Sequence, residues 1–246
     1  MKNTINIVTV LKIKDLKKSF GDNQVLNNFS MELYEGENLV IMGKSGSGKS
    51  VMIKCLVGLM QPDSGTIEIM NRNIANLTQN EFNELRTDIG FLFQGSALYD
   101  SMTVRENLEF PLRKQKRKSE DTDKLVIKAL ESVGLADAID LMPEELSGGM
   151  KRRVALARSI ILLPKIIIYD EPTTGLDPIT AKEIIQLMQS IQQSYKTSSL
   201  IITHDVDCAR VISNRMILLI DGINYAEGTF KELSTSKDKK IQAFFK

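Results

Sequence analysis

The sequence feature that most constrains the fold is a glycine-rich octapeptide, GKSGSGKS, at Gly43 to Ser50. The apolar run Leu39 to Met42 precedes it, and an apolar-periodic stretch from Val51 to Met60 follows it. A strand, a glycine-rich turn and a helix in this order are the context that a phosphate-binding loop requires. The first N–H groups of a helix have no partner within it, and the peptide dipoles add positive potential there, so such a loop favours an anion. The sequence therefore predicts a site for a nucleoside triphosphate.

Each residue type in this loop suits that chemistry. Glycines let the backbone curl so that successive N–H groups point inward. Lys49 would supply a mobile cation for the β- and γ-phosphates, and the Ser50 hydroxyl is placed to bind Mg²⁺. The predicted nucleotide-binding residues of this segment are Gly43, Lys44, Ser45, Gly46, Ser47, Gly48, Lys49, Ser50 and Val51.

Two adjacent acids, Asp170 and Glu171, follow the apolar run Ile166 to Tyr169. A continuous apolar run of this length is typical of a central parallel strand covered on both faces. Ligands of open α/β sheets bind at the carboxyl ends of the strands, so we expect both acids to project where the phosphate loop opens. Asp170 would then bind Mg²⁺ directly or through water. Glu171 would act on the attacking water, as general base or by orienting it.

The rest of the chain alternates strand-like and helical segments, which predicts a mostly parallel α/β sheet. From Gln94 to about Ile160 the pattern is helical. Thr78, followed three residues later by Glu81, has the spacing of a capping box and predicts the start of a helix. We expect a single domain over residues 1–246, with an α/β core of residues 1–93 and 161–246 and a helical subdomain at 94–160.

Composition and net charge limit the kinds of partner that we expect the chain to bind. The chain has 246 residues and a formal net charge of +1, so no global charge favours nucleic acid or electrostatic adsorption to a membrane. No stretch approaches the roughly 18 apolar residues needed to span a bilayer. The segment Met1 to Val10 lacks the continuous apolar core of a signal peptide. We expect no direct membrane span, so any membrane role would come through a partner.

The motif Leu146-Ser147-Gly148-Gly149 resembles the signature of ABC-type ATPases. Three further features agree with it in order and spacing: Gln94 between the phosphate loop and this motif, the segment Gly175 to Pro178 after Glu171, and His204 after another apolar strand. The resemblance covers nearly the whole chain. It implies a P-loop NTPase fold of the ABC nucleotide-binding type, with a mostly parallel central sheet, an antiparallel β part and an inserted helical subdomain. It also implies ATP and Mg²⁺ as cofactors and ATP hydrolysis as the reaction.

The same resemblance implies roles for single residues. Phe20 would stack on adenine, with Val25 near the nucleotide. Gln94 would sense Mg²⁺ and water and couple the site to a partner. Asp177 would belong to the loop that crosses to a second subunit, and His204 would contact the γ-phosphate.

The signature also implies a shared site. Ser147 and the N–H groups of Gly148 and Gly149, at the start of a helix, would form a second anion site. In the family this site meets the phosphates bound by the opposite subunit. Each ATP would then lie between Lys49 of one chain and Ser147 of the other, which predicts a two-fold homodimer with two equivalent sites.

Two local features resemble the ATP-binding subunit of Mla/Mce-type phospholipid transporters. Met150 stands where most ABC proteins have glutamine, and the segment Gln94 to Asn107 lies where a permease would dock. This resemblance implies phospholipid transport, integral-membrane permease subunits, a Mce-type lipid-binding partner and a peripheral position at the cytoplasmic face of the inner membrane. Two alternatives stay open: an ABC ATPase for another transported substrate, and a soluble ABC ATPase of an assembly complex of the iron–sulphur scaffold type.

Overall fold

The computed structural model describes residues 8–114 and 119–245. The first seven residues, part of the segment in which we expect no signal peptide, lie outside the described residues. The chain divides into two compact units. Unit 1 comprises Met1–Arg86 with Ser198–Lys246, and unit 2 comprises Thr87–Thr197. The helices of residues 94–160 all fall within unit 2, and whether they form a subdomain of their own stays a prediction.

Strands and helices alternate along most of the described chain. The strands are β1 (Thr9–Phe20), β2 (Asn23–Tyr34), β3 (Asn38–Met42), β4 (Ser64–Ile69), β5 (Arg72–Asn73), β6 (Ile89–Leu92), β7 (Ile166–Asp170), β8 (Ser198–Thr203), β9 (Arg215–Ile220) and β10 (Ile223–Gly228). The α-helices are α1 (Lys49–Leu56), α2 (Gln79–Leu85), α3 (Val104–Glu109), α4 (Ser119–Glu131), α5 (Gly148–Ile160), α6 (Pro178–Tyr195), α7 (Val206–Ile212), α8 (Phe230–Ser234) and α9 (Lys239–Gln242).

Unit 1 contains two sets of paired strands. An antiparallel sheet has the order β2-β1-β4-β5, and the second set has the order β10-β9-β3-β8. In the second set β3 pairs in parallel with both β8 and β9, whereas β10 is antiparallel to β9. All five residues of β3 are buried, as expected of a central strand covered on both faces.

The predicted strand, loop and helix around the octapeptide are present as β3, the loop after Met42, and α1. The helix ends at Leu56 and does not continue to Met60. Gly58 has a φ of 70°, and glycine in this left-handed conformation terminates helices. The predicted capping box at α2 is confirmed: the Thr78 hydroxyl accepts from the Glu81 N–H, and the Glu81 carboxylate accepts from the Thr78 N–H.

A cluster of side chains around Arg215 fixes the start of β3 within unit 1. The Arg215 guanidinium on β9 donates to both carboxylate oxygens of Glu37 at 2.8 Å, to the Glu32 carbonyl at 2.6 Å, and to Glu227. It also lies 4.8 Å from the centre of the Tyr34 ring. Burial opposes its charge, but the bonds to Glu37 and Glu227 outweigh that effect and raise the pKa of Arg215. The cluster therefore holds β2, the turn before β3 and the β9–β10 hairpin together.

Unit 2 is built on the parallel pair of β6 and β7, in which Gly90 lies opposite Ile167 and Leu92 opposite Tyr169. The helices α3 to α6 contribute apolar side chains to its core, among them Val104, Leu108 and Leu156. Across the described ranges, no helix combines the length and apolar character needed to cross a membrane.

Candidate functional site

The phosphate loop in unit 1 has a curled backbone. The Ser47 N–H donates to the Lys44 carbonyl at 3.1 Å, and Gly46 and Gly48 have φ angles of 80° and 105°. Glycine adopts these left-handed angles without steric cost. Gly48 is also required for space, because a Cβ there would lie 2.9 Å from the Val25 carbonyl oxygen. The loop therefore keeps this shape only with glycine at the start of α1.

Lys49 opens α1, and its ammonium lies within the loop. It is 9% exposed, and Nζ donates to the carbonyls of Gly43 at 2.6 Å and Lys44 at 3.1 Å. The Ser47 hydroxyl oxygen is buried and has no hydrogen-bond partner among the described residues. An ammonium, a spare hydroxyl and helix-start amides are the donors that a triphosphate takes, so the loop fits that ligand.

A cavity of about 770 Å³ in unit 1 opens beside this loop. Residues Lys44 to Ser47 form one wall and Val25 another, so the structure brings these predicted residues together. Lys239 and Lys240 of α9 also line it. Neither lysine was predicted to belong to the site, although their adjacency is visible in the sequence.

Phe20 lies at the turn between β1 and β2, and 49% of it is exposed. The Lys18 ammonium lies 5.7 Å from the centre of its ring. Phe20 is not among the residues that line the cavity beside the phosphate loop. An exposed aromatic face can stack on a base, and that role stays a prediction for Phe20.

His204 directly follows β8 and is exposed. Thr203, the last residue of β8, lies opposite Met42, the last residue of β3. The parallel register therefore places His204 and Gly43 at the same edge of the strand set in unit 1. Asp205 then caps α7, so the chain enters a helix two residues after the histidine.

The two predicted acids of unit 2 stand at the end of β7. Asp170 is its last residue and is half-buried. Glu171 is 8% exposed and has a φ of 50°, a left-handed conformation that is costly for a residue with a side chain. Its Oε2 accepts a hydrogen bond from the Thr174 hydroxyl at 3.1 Å. Strain of this kind concentrates at functional sites, and the bond from Thr174 helps to orient the carboxylate.

Gln94 lies two residues beyond the end of β6 and is exposed. Since Leu92 is opposite Tyr169 in the parallel pair, Gln94 and Glu171 leave neighbouring strands at the same edge. Gln94 itself lies within a tight turn, in which the Ser96 N–H donates to the Phe93 carbonyl at 3.0 Å. Unit 2 therefore brings Gln94, Asp170 and Glu171 to one edge.

The signature motif forms the start of α5. Ser147 caps this helix, and its hydroxyl accepts from the Met150 N–H at 3.2 Å. The Lys151 N–H makes the first main-chain bond of the helix, to the Ser147 carbonyl, so the amides of Gly148 and Gly149 point out of the helix start. This geometry fits an anion-binding helix start.

The two signature glycines have different steric surroundings. A Cβ on Gly149 would lie 2.8 Å from Cγ2 of Thr180, whereas a Cβ on Gly148 would meet open space. Gly149 therefore lets the starts of α5 and α6 approach closely. Gly148 carries no such packing requirement.

Asp177 uses both carboxylate oxygens to cap α6. Oδ1 accepts from the N–H groups of Ile179 and Thr180, each at 3.0 Å, and Oδ2 accepts from the Thr180 hydroxyl at 2.6 Å. The bond from the Thr180 side chain is the main reason why the pKa of Asp177 lies below its usual range. The carboxylate therefore shapes the loop before α6, and its contact with a second subunit stays a prediction.

A second cavity, of about 390 Å³, lies in unit 2 beside the segment after Gln94. Arg158 and four aromatic side chains line it, and three of the aromatic side chains, Phe93, Tyr99 and Phe110, are substantially exposed. The ring centres of Tyr99 and Phe110 are 4.6 Å apart. We call this aromatic cavity the docking groove.

Asn107 of α3 braces the loop beside the docking groove and is fully buried. Its Nδ2 donates to the carbonyls of Tyr99, Met102 and Thr103 at 3.0 to 3.1 Å, and its Oδ1 accepts from the Tyr99 N–H at 2.8 Å. Arg158 adds a bond to the same oxygen at 3.4 Å. One side chain thus holds a loop that has no regular secondary structure.

Replacing Asn107 with leucine is expected to lower the free energy of unfolding by about 2–4 kcal/mol, because four partly buried main-chain groups lose their bond to this side chain. Urea titration followed by circular dichroism measures this change. Asn80→Leu on the exposed face of α2 is the control, and its effect should stay within about 0.5 kcal/mol. Equal effects of the two substitutions would contradict the bracing role.

Comparison with known proteins identifies the family. The family model described as ABC transporter matches residues 26–174, which include the phosphate loop, the signature and the two acids at the end of β7. The chain belongs to the ABC transporter family. The expected fold, a P-loop NTPase of the ABC type with mixed α/β sheets and helices, is thereby confirmed.

Two relatives and one solved structure show how much of the chain is similar to known ABC proteins. The methionine import ATP-binding protein MetN of Clostridium tetani is 40% identical over 225 residues, 91% of this chain and 70% of MetN. The intermembrane phospholipid transport system ATP-binding protein MlaF of Haemophilus influenzae is 36% identical over 238 residues, 96% of this chain and 90% of MlaF. A dimeric post-hydrolysis structure of the ATP-binding cassette MJ0796, bound to ADP and Pi, matches with a TM-score of 0.80 and 34% identity, covering 89% of this chain and 98% of that one.

Membership in the ABC family establishes the general activity. ABC ATPases bind ATP with Mg²⁺ and hydrolyse it, so the predicted cofactors and the predicted ATPase activity are confirmed. Subunits of this family dimerise and work with membrane permease partners. The Mla/Mce assignment is one of several, since MetN is as similar to this chain as MlaF.

Proposed function

We propose that this ABC ATPase energises phospholipid transport through integral-membrane permease subunits, together with a Mce-type lipid-binding partner. It would work as a homodimer at the cytoplasmic face of the inner membrane. The observation that carries the proposal is the segment Gln94 to Asn107, whose sequence resembles Mla/Mce ATPases and whose loop borders the docking groove. Similarity to MlaF along most of both chains supports it.

For the nucleotide, we assign the triphosphate to the phosphate loop. Lys49 would exchange its contacts with the Gly43 and Lys44 carbonyls for phosphate oxygens, while the amides at the start of α1 hold the β-phosphate. Ser50, Asp170 and Gln94 offer the oxygen ligands that Mg²⁺ prefers. When bound, Mg²⁺ supplies positive charge that offsets the charge of the phosphates.

For hydrolysis, Glu171 would accept a proton from the attacking water or hold that water in line. Its left-handed backbone and its bond from Thr174 fix the direction of the carboxylate before the reaction. His204 would contact the γ-phosphate from the end of β8, since imidazole can donate a hydrogen bond there. Phe20 would stack on adenine, with Val25 beside the nucleotide.

For coupling, the docking groove would accept an apolar segment of the permease. A group of exposed aromatic rings is unusual on a surface that faces solvent and is typical of protein–protein interfaces. The bonds of Asn107 and Arg158 hold the loop that carries Tyr99, so the groove is formed before a partner binds. Movement of this loop would reach Gln94, which is five residues from Tyr99.

Replacing Ser147 with arginine tests the shared site. The change adds a long cation to the start of α5 but leaves the phosphate loop intact, so ATP binding by the isolated chain should stay within about threefold. ATP-dependent dimerisation, measured by light scattering in a background that hydrolyses ATP slowly, should be lost. Ser190→Arg on the exposed face of α6 is the matched control and should dimerise normally. Dimerisation of Ser147→Arg at the control level would refute the shared site.

The substrate is tested by reconstitution. The chain, purified with its membrane partners, would be placed in liposomes, and ATP-dependent transfer of fluorescent phospholipid would be measured beside uptake of labelled methionine. Phospholipid transfer that requires ATP supports the proposal. Methionine uptake without phospholipid transfer would assign the chain to the second candidate function, which its 40% identity to MetN favours. Recovery from detergent extracts without any integral-membrane protein would contradict both transport functions.

A further inference from the structure

A buried arginine lies one turn inside the signature helix. Arg152 on α5 is 4% exposed. Its Nη1 donates to the Phe93 carbonyl at 2.8 Å, and its Nη2 donates to the Thr174 carbonyl at 3.3 Å. All of these residues lie within unit 2. Arg152 is therefore held by main-chain oxygens of two separate loops.

The two loops are those that carry the predicted chemistry. Phe93 directly precedes Gln94. Thr174 follows Glu171, and its hydroxyl donates to the Glu171 carboxylate at 3.1 Å. A chain of contacts thus runs from Phe93 through the guanidinium to Thr174 and on to Glu171. The arginine belongs to the helix that starts with the signature motif, so three functional segments meet at one side chain.

The electrostatics of Arg152 are unusual for an arginine that only supports the fold. Within the described ranges no carboxylate pairs with it, and burial lowers the pKa of its guanidinium. Its Nε is buried and has no partner among the described residues. A buried charge with neutral acceptors and a spare donor is a costly arrangement, because most buried polar groups in native proteins are satisfied. The neighbouring Arg153, in contrast, pairs with Glu183 at 2.6 Å near the surface.

We propose that Arg152 is a positioning residue of the ATPase reaction, which sets the loop of Gln94 and the loop of Glu171 in register with the signature helix. This inference rests on the proposed roles of Gln94 and Glu171. The planar guanidinium donates to two loops in fixed directions, as a single ammonium cannot. A shift of the loop before Gln94 therefore changes the support of the Glu171 carboxylate through Thr174.

The first test compares Arg152→Met, Arg152→Lys and the control Arg153→Met in the full chain. Arg152→Met should lower kcat about 10- to 100-fold while the Kd for a fluorescent ATP analogue changes less than threefold, because the phosphate loop is untouched. Arg152→Lys keeps the charge and should recover part of the loss, ending about 3- to 10-fold below the native kcat. Arg153→Met should stay within twofold in both quantities. A native kcat in Arg152→Met would overturn the proposal.

The second test asks whether Arg152 acts through Thr174. Thr174→Val removes the hydroxyl that donates to Glu171 and should lower kcat by itself. Combined with Arg152→Lys, which is the variant to use if Arg152→Met does not fold, it should give a loss clearly smaller than the product of the two single losses. If the two losses in kcat multiply in full, Arg152 and Thr174 act independently. That result would contradict the proposal that Arg152 acts through Thr174.

The failure of this inference differs from the failure of the proposed function. If Glu171→Gln hydrolyses ATP at the native rate, the proposed role of Glu171 fails, and the role of Arg152 fails with it. If Glu171→Gln is inactive but Arg152→Met keeps its native kcat, only the positioning role is refuted. A parallel fall of kcat, ATP affinity and melting temperature in both Arg152 variants would assign Arg152 to stability alone and would also refute it.

Discussion

Replacing Glu171 with glutamine is expected to lower kcat at least about 100-fold while ATP binding is retained. General-base catalysis contributes roughly 10²- to 10⁴-fold to a rate, and an amide cannot accept the proton of the attacking water. The glutamine side chain has nearly the same size, and its oxygen can still accept from the Thr174 hydroxyl, so the loop should keep its conformation. The phosphate loop, which belongs to unit 1, is unchanged.

The same substitution is expected to change the oligomeric state. Because ATP would remain bound between two subunits, Glu171→Gln should accumulate as an ATP-bound dimer that size-exclusion chromatography with light scattering detects. Steady-state phosphate release gives kcat, and titration with a fluorescent ATP analogue gives the Kd. Glu131→Gln at the exposed end of α4 is the control and should behave as the native chain. Rapid hydrolysis by Glu171→Gln would refute both the base and the water-orienting role.

Local patterns in the sequence predicted the elements that carry the phosphate loop. The apolar run Leu39 to Met42 is β3, and the glycine-rich loop and α1 follow it as expected. Such elements are predictable because neighbouring residues specify them: burial on both faces selects the apolar run, and helix-start chemistry selects the loop. The capping box at Thr78 was predictable for the same reason, since its hydrogen bonds span three residues.

The conformation of Glu171 was not predictable from the sequence. Nothing in a run of apolar residues followed by two acids indicates a left-handed φ of 50°, because the surrounding structure imposes that strain. The capping of α6 by Asp177 could have been foreseen from the Pro178 that follows it, since aspartate before a proline at the first helical position is a common helix start. The family resemblance predicted only a contact of Asp177 with a second subunit.

Contacts between residues that are far apart in the sequence could not be predicted either. Arg152 and the carbonyl of Phe93 are 59 positions apart, and no periodic pattern links them. The wall that α9 contributes to the cavity beside the phosphate loop depends on how the end of the chain packs within unit 1. Main-chain carbonyls carry no sequence signal, so an arginine that binds them resembles any other charged residue of a helix.

Replacing Lys49 with alanine is expected to weaken ATP binding by at least about 30-fold and to reduce hydrolysis below detection. A charge-assisted hydrogen bond to phosphate is worth about 2–3 kcal/mol, and the ammonium is the cation that the octapeptide places inside its own loop. Equilibrium titration with a fluorescent ATP analogue measures the affinity. Lys54→Ala on the exposed side of α1 is the control, and its affinity should stay within twofold.

The same substitution has an effect on stability that must be separated from binding. Removing the ammonium leaves the buried Gly43 carbonyl without the bond from Nζ, which costs about 1–3 kcal/mol. Lys49→Arg supplies a cation and donors that can reach that carbonyl, so it should regain stability. Its bulk and planar geometry differ from those of the ammonium, so ATP affinity should recover less than stability does. If Lys49→Ala binds ATP with native affinity while remaining folded, the loop does not use this lysine to hold phosphate, and the proposed nucleotide site is wrong.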